Sequence, residues 1–249
     1  MIEVRNLHKT LGTQRILCGT SFRIEEGEAV VIIGRSGGGK SVLLKHLIGL
    51  MTPDSGQVLV NGEDLACLNE RALLRVRRQF GLLFQTAALF DSLNVYENVS
   101  FLLRRERRHT DAEMRRLVAE ALEMVELSGI EQKMPGELSG GMRKRVGLAR
   151  AIIHRPAIVL YDEPTTGLDP IAAARIDQLI RRVWGYLRVT SIAVTHDMKS
   201  ARTISDRILM LHDGEIYVSG ATPDILSSTD PIVNHFVNGI AEPRSNLMN

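Results

Sequence analysis

Short apolar runs alternate with amphipathic stretches along most of this chain, and the two periods assign its elements. Residues 2–7 and 18–24 have strand character and are bracketed by Gly12, Gly19 and Gly27. They predict an antiparallel arm joined to the next strand, the fully apolar run 29–33. Glycines follow, then an amphipathic helix over 40–50. Thr52-Pro53-Asp54-Ser55-Gly56 turns the chain into a strand at 57–60 that Asn61-Gly62 stops, and 80–84 is a further apolar strand.

From about residue 94 to 153 the pattern becomes mostly helical. Thr110-Asp111-Ala112-Glu113 reads as a capping box, with Thr110 as cap and Glu113 reaching back, opening a helix to about 125. Another helix is expected over 139–153. Past Arg155-Pro156, strands at 157–161 and 191–195 enclose a helix from Pro170 to about Leu187, and strands at 207–211 and 215–218 close the core. Strands that alternate with helices need crossover connections, so the pattern predicts an α/β fold with a mainly parallel sheet. Residues 1–240 read as one domain carrying a helical subdomain at about 94–153, and 241–249 as a tail.

Composition changes this picture little. A chain of 249 residues that is 44% hydrophobic can bury a real core as one domain. A net charge of +2 gives no global pull toward nucleic acid. Cys18 and Cys67 match no metal or redox spacing and read as ordinary reduced residues. Residues 1–5 lack the apolar core of a signal peptide, and no apolar run approaches the ~20 residues that span a bilayer. Any membrane crossing is expected from another chain.

Chemistry concentrates at three places. Gly34-Arg35-Ser36-Gly37-Gly38-Gly39-Lys40-Ser41 fits G-x-x-x-x-G-K-[ST] between a strand and a helix. That placement turns backbone N–H groups and a helix N-terminus onto a phosphate; Lys40 reaches the β- and γ-phosphates and Ser41 offers its hydroxyl to Mg²⁺. The apolar strand ending in Asp162-Glu163 delivers two carboxylates at the end where open α/β sheets bind ligands. Asp162 is placed to hold Mg²⁺ and Glu163 to act as general base on the attacking water. Leu138-Ser139-Gly140-Gly141-Met142 opens a helix and makes a second anion site. Two phosphate sites on one small chain make sense if each nucleotide is shared between two copies.

With these motifs in order from about residue 2 to 220, the chain resembles the nucleotide-binding subunits of ABC (ATP-binding cassette) transporters. Gly34–Ser41, with Val42 next in line, looks like the Walker A loop, and 158–163 like the Walker B strand. Gln85 looks like the Q-loop glutamine, 138–142 the signature, 167–169 ending at Asp169 the D-loop, and His196 the switch histidine. The resemblance implies an ABC-type P-loop NTPase fold and a head-to-tail homodimer that sandwiches two ATP molecules with Mg²⁺. Each nucleotide would lie between the Walker motifs of one copy and Ser139, Gly140 and Gly141 of the other. His196 would contact the γ-phosphate, and Gln85 would sense Mg²⁺ and the membrane partner.

There are two departures from the family pattern. No aromatic stands near Leu11 to stack on adenine, which leaves base selectivity loose or hands the stacking to Arg15. Met142 occupies a position where Gln is usual, and Arg143-Lys144-Arg145 follows. Residues 138–146, 84–99 and 34–45 resemble one branch in particular, the ATPases of bacterial lipid-trafficking systems that work with MCE-domain proteins. The stretch 235–241 looks like that branch's C-terminal extension. This branch implies permease subunits, an MCE lipid-binding ring, a STAS-domain subunit, and ATP hydrolysis at the cytoplasmic face of a bacterial inner membrane that drives phospholipid between that membrane and the envelope. The rival readings are an importer ATPase for small solutes and a non-transport ABC protein acting on nucleic acid. The basic run 104–109 reads as a solvated helix end, offset by the acids of 111–126.

Overall fold

The computed structural model describes residues 1–240. The chain opens with β1 (Ile2–Leu11) and β2 (Gln14–Ile24), an antiparallel pair turned by Gly12. Strand β3 (Ala29–Ile33) leads through the glycine loop into α1 (Lys40–Leu47). Next come β4 (Ser55–Val60), β5 (Glu63–Asp64), α2 (Glu70–Arg77) and β6 (Phe80–Leu83). Three helices follow, α3 (Val95–Glu106), α4 (Asp111–Met124) and α5 (Gly140–Ile152). Then β7 (Ile158–Asp162), α6 (Pro170–Leu187), β8 (Thr190–Thr195), α7 (Met198–Ile204), β9 (Arg207–His212) and β10 (Glu215–Ala221) complete the core. Helices α8 (Thr222–Leu226) and α9 (Pro231–Val237) end the described chain. The tail 241–249 lies outside the described residues.

Two sheets result. The six-stranded one runs β10-β9-β3-β8-β7-β6, parallel from β9 to β6, with β10 antiparallel at its edge. The arm is antiparallel as expected but is not hydrogen-bonded to β3. Strand β3 already has β9 on one side and β8 on the other, so it has no free edge. Strands β1 and β2 instead form a separate four-stranded sheet, β2-β1-β4-β5.

Alternation along β3 builds the layers. Val30 and Ile32 point toward the small sheet and α1, packing with Ile2, Val4, Leu43 and Leu47. Val31 and Ile33 point the other way, into a cluster with Tyr161, Val146, Leu148 and Ile180. A parallel sheet covered on both faces needs apolar residues at every position, and all five residues of β3 are buried.

Local signals explain several boundaries. Helix α1 stops short of residue 50 because Gly49 adopts φ +65° and the Leu50 amide donates back to the Lys45 carbonyl at 2.8 Å, a Schellman closure. Helix α4 starts at the expected capping box: the Glu113 amide donates to Thr110 at 3.3 Å, and the Thr110 amide donates to the Glu113 carboxylate at 2.8 Å. Helix α2 has no counterpart in the sequence reading, because only Val76 of its eight residues is buried and its apolar stripe is too short to register. Asn69 caps it, accepting from the Ala72 amide at 2.9 Å.

Candidate nucleotide site

The glycine loop begins where β3 ends beside the last residues of β9. A Cβ on Gly34 would sit 2.5 Å from the Leu211 carbonyl oxygen, so no larger residue lets the loop leave the sheet here. Gly39 caps α1 with φ +95°, a left-handed conformation that leaves the next residue aimed inward. That residue is Lys40, whose side chain is 6% exposed and whose ammonium donates to the carbonyls of Gly34 at 2.8 Å and Arg35 at 3.0 Å. Burial pushes the Lys40 ammonium below its ordinary value, and the charges of Glu163 and Asp162 pull it part of the way back.

Strand β7 ends beside this loop. The Ser41 hydroxyl donates to Asp162 Oδ1 at 3.1 Å, joining an alcohol and a carboxylate oxygen from two different elements. Burial raises the Asp162 carboxyl, and the Ser41 hydrogen bond opposes that rise. This pair of hard oxygens has the donor chemistry that a magnesium ion accepts.

Glu163 follows in a left-handed backbone conformation, φ +47°, which is unfavourable for a residue with a Cβ. Its side chain is 12% exposed and its Oε1 lies 3.9 Å from Lys40 Nζ. Its Oε2 accepts from Thr166 at 3.1 Å and from Thr195 at 3.4 Å, and lies 2.9 Å from His196 Nδ1. His196 stands at the end of β8, half open to solvent. Lys40, Ser41, Asp162, Glu163 and His196 therefore converge at the carboxyl ends of three neighbouring parallel strands, the position where open α/β sheets bind ligands.

The remaining expected residues fall elsewhere. Ser139 caps α5, its hydroxyl accepting from the Met142 amide at 3.2 Å, and Gly140 and Gly141 follow. Asp169 caps α6, accepting from the Ile171 and Ala172 amides at 2.9 Å each. Ser139, Gly140, Gly141 and Asp169 line one cavity of about 420 Å³. Arg35, Ser36, Gly37 and Gly38 line another of about 350 Å³, together with Arg15 and Ile16. The two cavities share no residue. Val42 is half-buried in the first turn of α1. Gln85 is exposed just past β6, and its carbonyl accepts from Lys144 Nζ.

Three groups at the site were not expected from the sequence. Thr166 and Thr195 hold the Glu163 carboxylate, and Lys144 reaches the backbone beneath it. A threonine shows no sequence signal of that kind. Lys144 shows a faint one, since it precedes Leu148 by four residues and Ala151 by seven on the buried face of α5.

Known proteins resemble this chain. The model of the ABC transporter family matches residues 17–166. A probable ribonucleotide transport ATP-binding protein, mkl, of Mycobacterium leprae is 44% identical over 96% of this chain and 69% of its own length. The intermembrane phospholipid transport system ATP-binding protein MlaF of Haemophilus influenzae is 38% identical over 96% of this chain and 90% of its own. Among solved structures, the dimeric ATP-binding cassette MJ0796 in a post-hydrolysis state with ADP and Pi superposes with TM-score 0.81 and 33% identity. That match covers 89% of this chain and 99% of the cassette.

Proposed function

The chain belongs to the ABC transporter family of ATP-binding proteins, and we propose that it is the ATP-hydrolysing subunit of a phospholipid transporter. One observation carries the enzymatic part: Lys40, Ser41, Asp162, Glu163 and His196 meet at the ends of β3, β7 and β8. ATP binds with its phosphates on the amides of residues 34–42 and on Lys40. Ser41 and Asp162 would hold Mg²⁺, with Gln85 as a further ligand, and the ion would supply charge neutralisation at the phosphates. Glu163 takes the proton of the attacking water. Thr166 and Thr195 fix the rotamer of its carboxylate, and His196 beside it faces the γ-phosphate.

The separation of the two anion-binding cavities supports a dimer. Ser139, Gly140, Gly141 and Asp169 are not in the cavity of the glycine loop, so a second copy completes each site. Residues 1–240 act as one ATPase domain, with 94–153 as its helical subdomain.

The printed names of relatives divide on cargo. The Mycobacterium protein is named for ribonucleotide transport and the Haemophilus protein for phospholipid transport. The stretch Leu138–Val146 favours the lipid branch, with permease, MCE-domain and STAS-domain partners at the cytoplasmic face of an inner membrane. Among the described residues no helix is long and apolar enough to cross a membrane; the association we propose is peripheral. A small-solute importer would use the same catalytic residues with a different permease.

The test combines chemistry and cargo. Glu163→Gln should lower ATP turnover by about a hundredfold or more while trapping a nucleotide-bound dimer. Purification through this chain from membranes in mild detergent should bring a permease and phospholipid with it. Normal turnover by Glu163→Gln would overturn the assignment of the base, and a solute permease would overturn the lipid cargo.

A further inference from the structure

We propose that Lys144 is a positioning residue for hydrolysis, tying the segment of Gln85 to the segment of Glu163. Its side chain is 4% exposed, an unusual place for an ammonium, because burying an unpaired charge is strongly unfavourable. It is paired. Lys144 Nζ donates to the carbonyl of Gln85 and, at 3.2 Å, to the carbonyl of Glu163.

Those two carbonyls belong to loops that leave adjacent strands. Strand β6 pairs in parallel with β7, Leu83 opposite Tyr161, and each chain then departs toward its own functional residue. Nothing in the sheet fixes one departing loop against the other. Lys144 does so from the second turn of α5, the helix whose cap is Ser139.

The Glu163 backbone makes the need specific. At φ +47° it holds an unfavourable conformation that must be stabilised from outside. Its carbonyl has two partners, Lys144 and the amide of Thr166 at 3.3 Å, while its amide donates to Val194 at 3.0 Å. The Lys144 charge also lies close enough to Asp162 and Glu163 for their carboxylates to attract it. Lys144 thus holds the carboxylate-bearing turn in place from below. It also connects the signature helix, the Gln85 loop and the turn carrying Glu163 through one atom.

This inference rests on the ATPase reading, and the experiment separates the two. Full-length Lys144→Met, Lys144→Gln and Lys144→Arg would be compared with wild type for kcat, KM for ATP, and ATP-dependent dimerisation in a Glu163→Gln background. Lys144→Met should lose about tenfold or more in kcat with KM changed by less than about threefold, since small misplacements of a base affect the chemical step. Lys144→Gln keeps two N–H donors without the charge and should fall between Met and wild type. Lys144→Arg should recover most of the loss. Lys144→Met/Glu163→Gln should dimerise with ATP as well as Glu163→Gln alone.

Wild-type kcat in Lys144→Met would overturn the proposal. So would equal losses of kcat, ATP affinity and thermal stability in all three variants, the signature of a merely structural lysine. If Lys144→Met fails to fold, the proposal stands or falls on whether Lys144→Gln lowers kcat at unchanged KM. A wild-type protein without turnover would instead remove the ATPase reading together with this one.

Discussion

Replacing Asp177 with asparagine should make this protein more stable at neutral pH. Asp177 lies on α6, 5% exposed, between that helix and α7. Its Oδ2 accepts from the Ser200 hydroxyl at 2.9 Å, while Oδ1 is buried with no hydrogen-bond partner. Burial pushes the carboxyl up from 3.8 to about 6; Ser200 opposes the rise and the negative charge of Asp197 adds to it. Between those two values the folded protein holds a proton that the unfolded chain releases. Stability from the protonated group is therefore complete below 3.8 and is lost as pH rises through about 6. A difference of roughly two units corresponds to about 3 kcal/mol of native-state penalty at pH 8. Asparagine has no charge to desolvate and can still accept from Ser200. Asp177→Asn should thus gain about 1–3 kcal/mol at pH 8, or several degrees in melting temperature for a chain this long. Urea unfolding of both proteins between pH 5 and 8 checks it, with the gap closing toward the acid end. A variant less stable than wild type at pH 8, or a gap independent of pH, would refute the burial argument.

Two other outcomes follow from the geometry of the glycine loop. Gly34→Ala places a methyl 2.5 Å from the Leu211 carbonyl, so the loop must leave its seat; ATP binding should weaken by about tenfold or more in a fluorescent-nucleotide titration, and unchanged affinity would mean that the loop tolerates the shift. Arg15 lines the cavity beside residues 35–38, which no Phe, Tyr or Trp lines, and should stack on the base in their place. Arg15→Ala should then raise KM for ATP by about threefold to tenfold at constant kcat. An unaffected KM would remove the stacking role, and comparable turnover of GTP and ATP by the wild type would favour loose base selectivity instead.

What could be read from the sequence follows the range of the interactions involved. The glycine loop, the capping box at Thr110 and the Asp162-Glu163 strand end are set by residues within eight positions of one another, so spacing alone identified them. The pairing of β1 with β4 is set by whether β3 has a free edge. That depends on β8 and β9, more than 150 residues downstream, and no local pattern carries it. The same distinction applies within the site. Glu163 was found by its place at the end of an apolar strand, but the residues that hold it, Thr166, Thr195 and Lys144, act through contacts that have no fixed spacing.

Lys144 and Asp177 show how polar residues on an apolar helix face escape notice. Each sits where the helical period calls for a core residue: Lys144 four before Leu148, and Asp177 three before Ile180. Arg143-Lys144-Arg145 is three basic residues in a row, a composition common at surfaces. The period says otherwise, since Lys144 is in phase with Leu148 and Ala151, which face inward. A buried charge survives selection for a stable core only where it has partners or a task, because leaving it unpaired would cost more than most single contacts return. Lys144 has two carbonyl partners, and both lie on the loops that carry Gln85 and Glu163. Asp177 has one hydroxyl partner and a bare oxygen, on the helix that packs against the one following His196. Polar residues in phase with an apolar stripe are therefore the positions where a sequence of this fold should be searched for groups that position its catalytic loops.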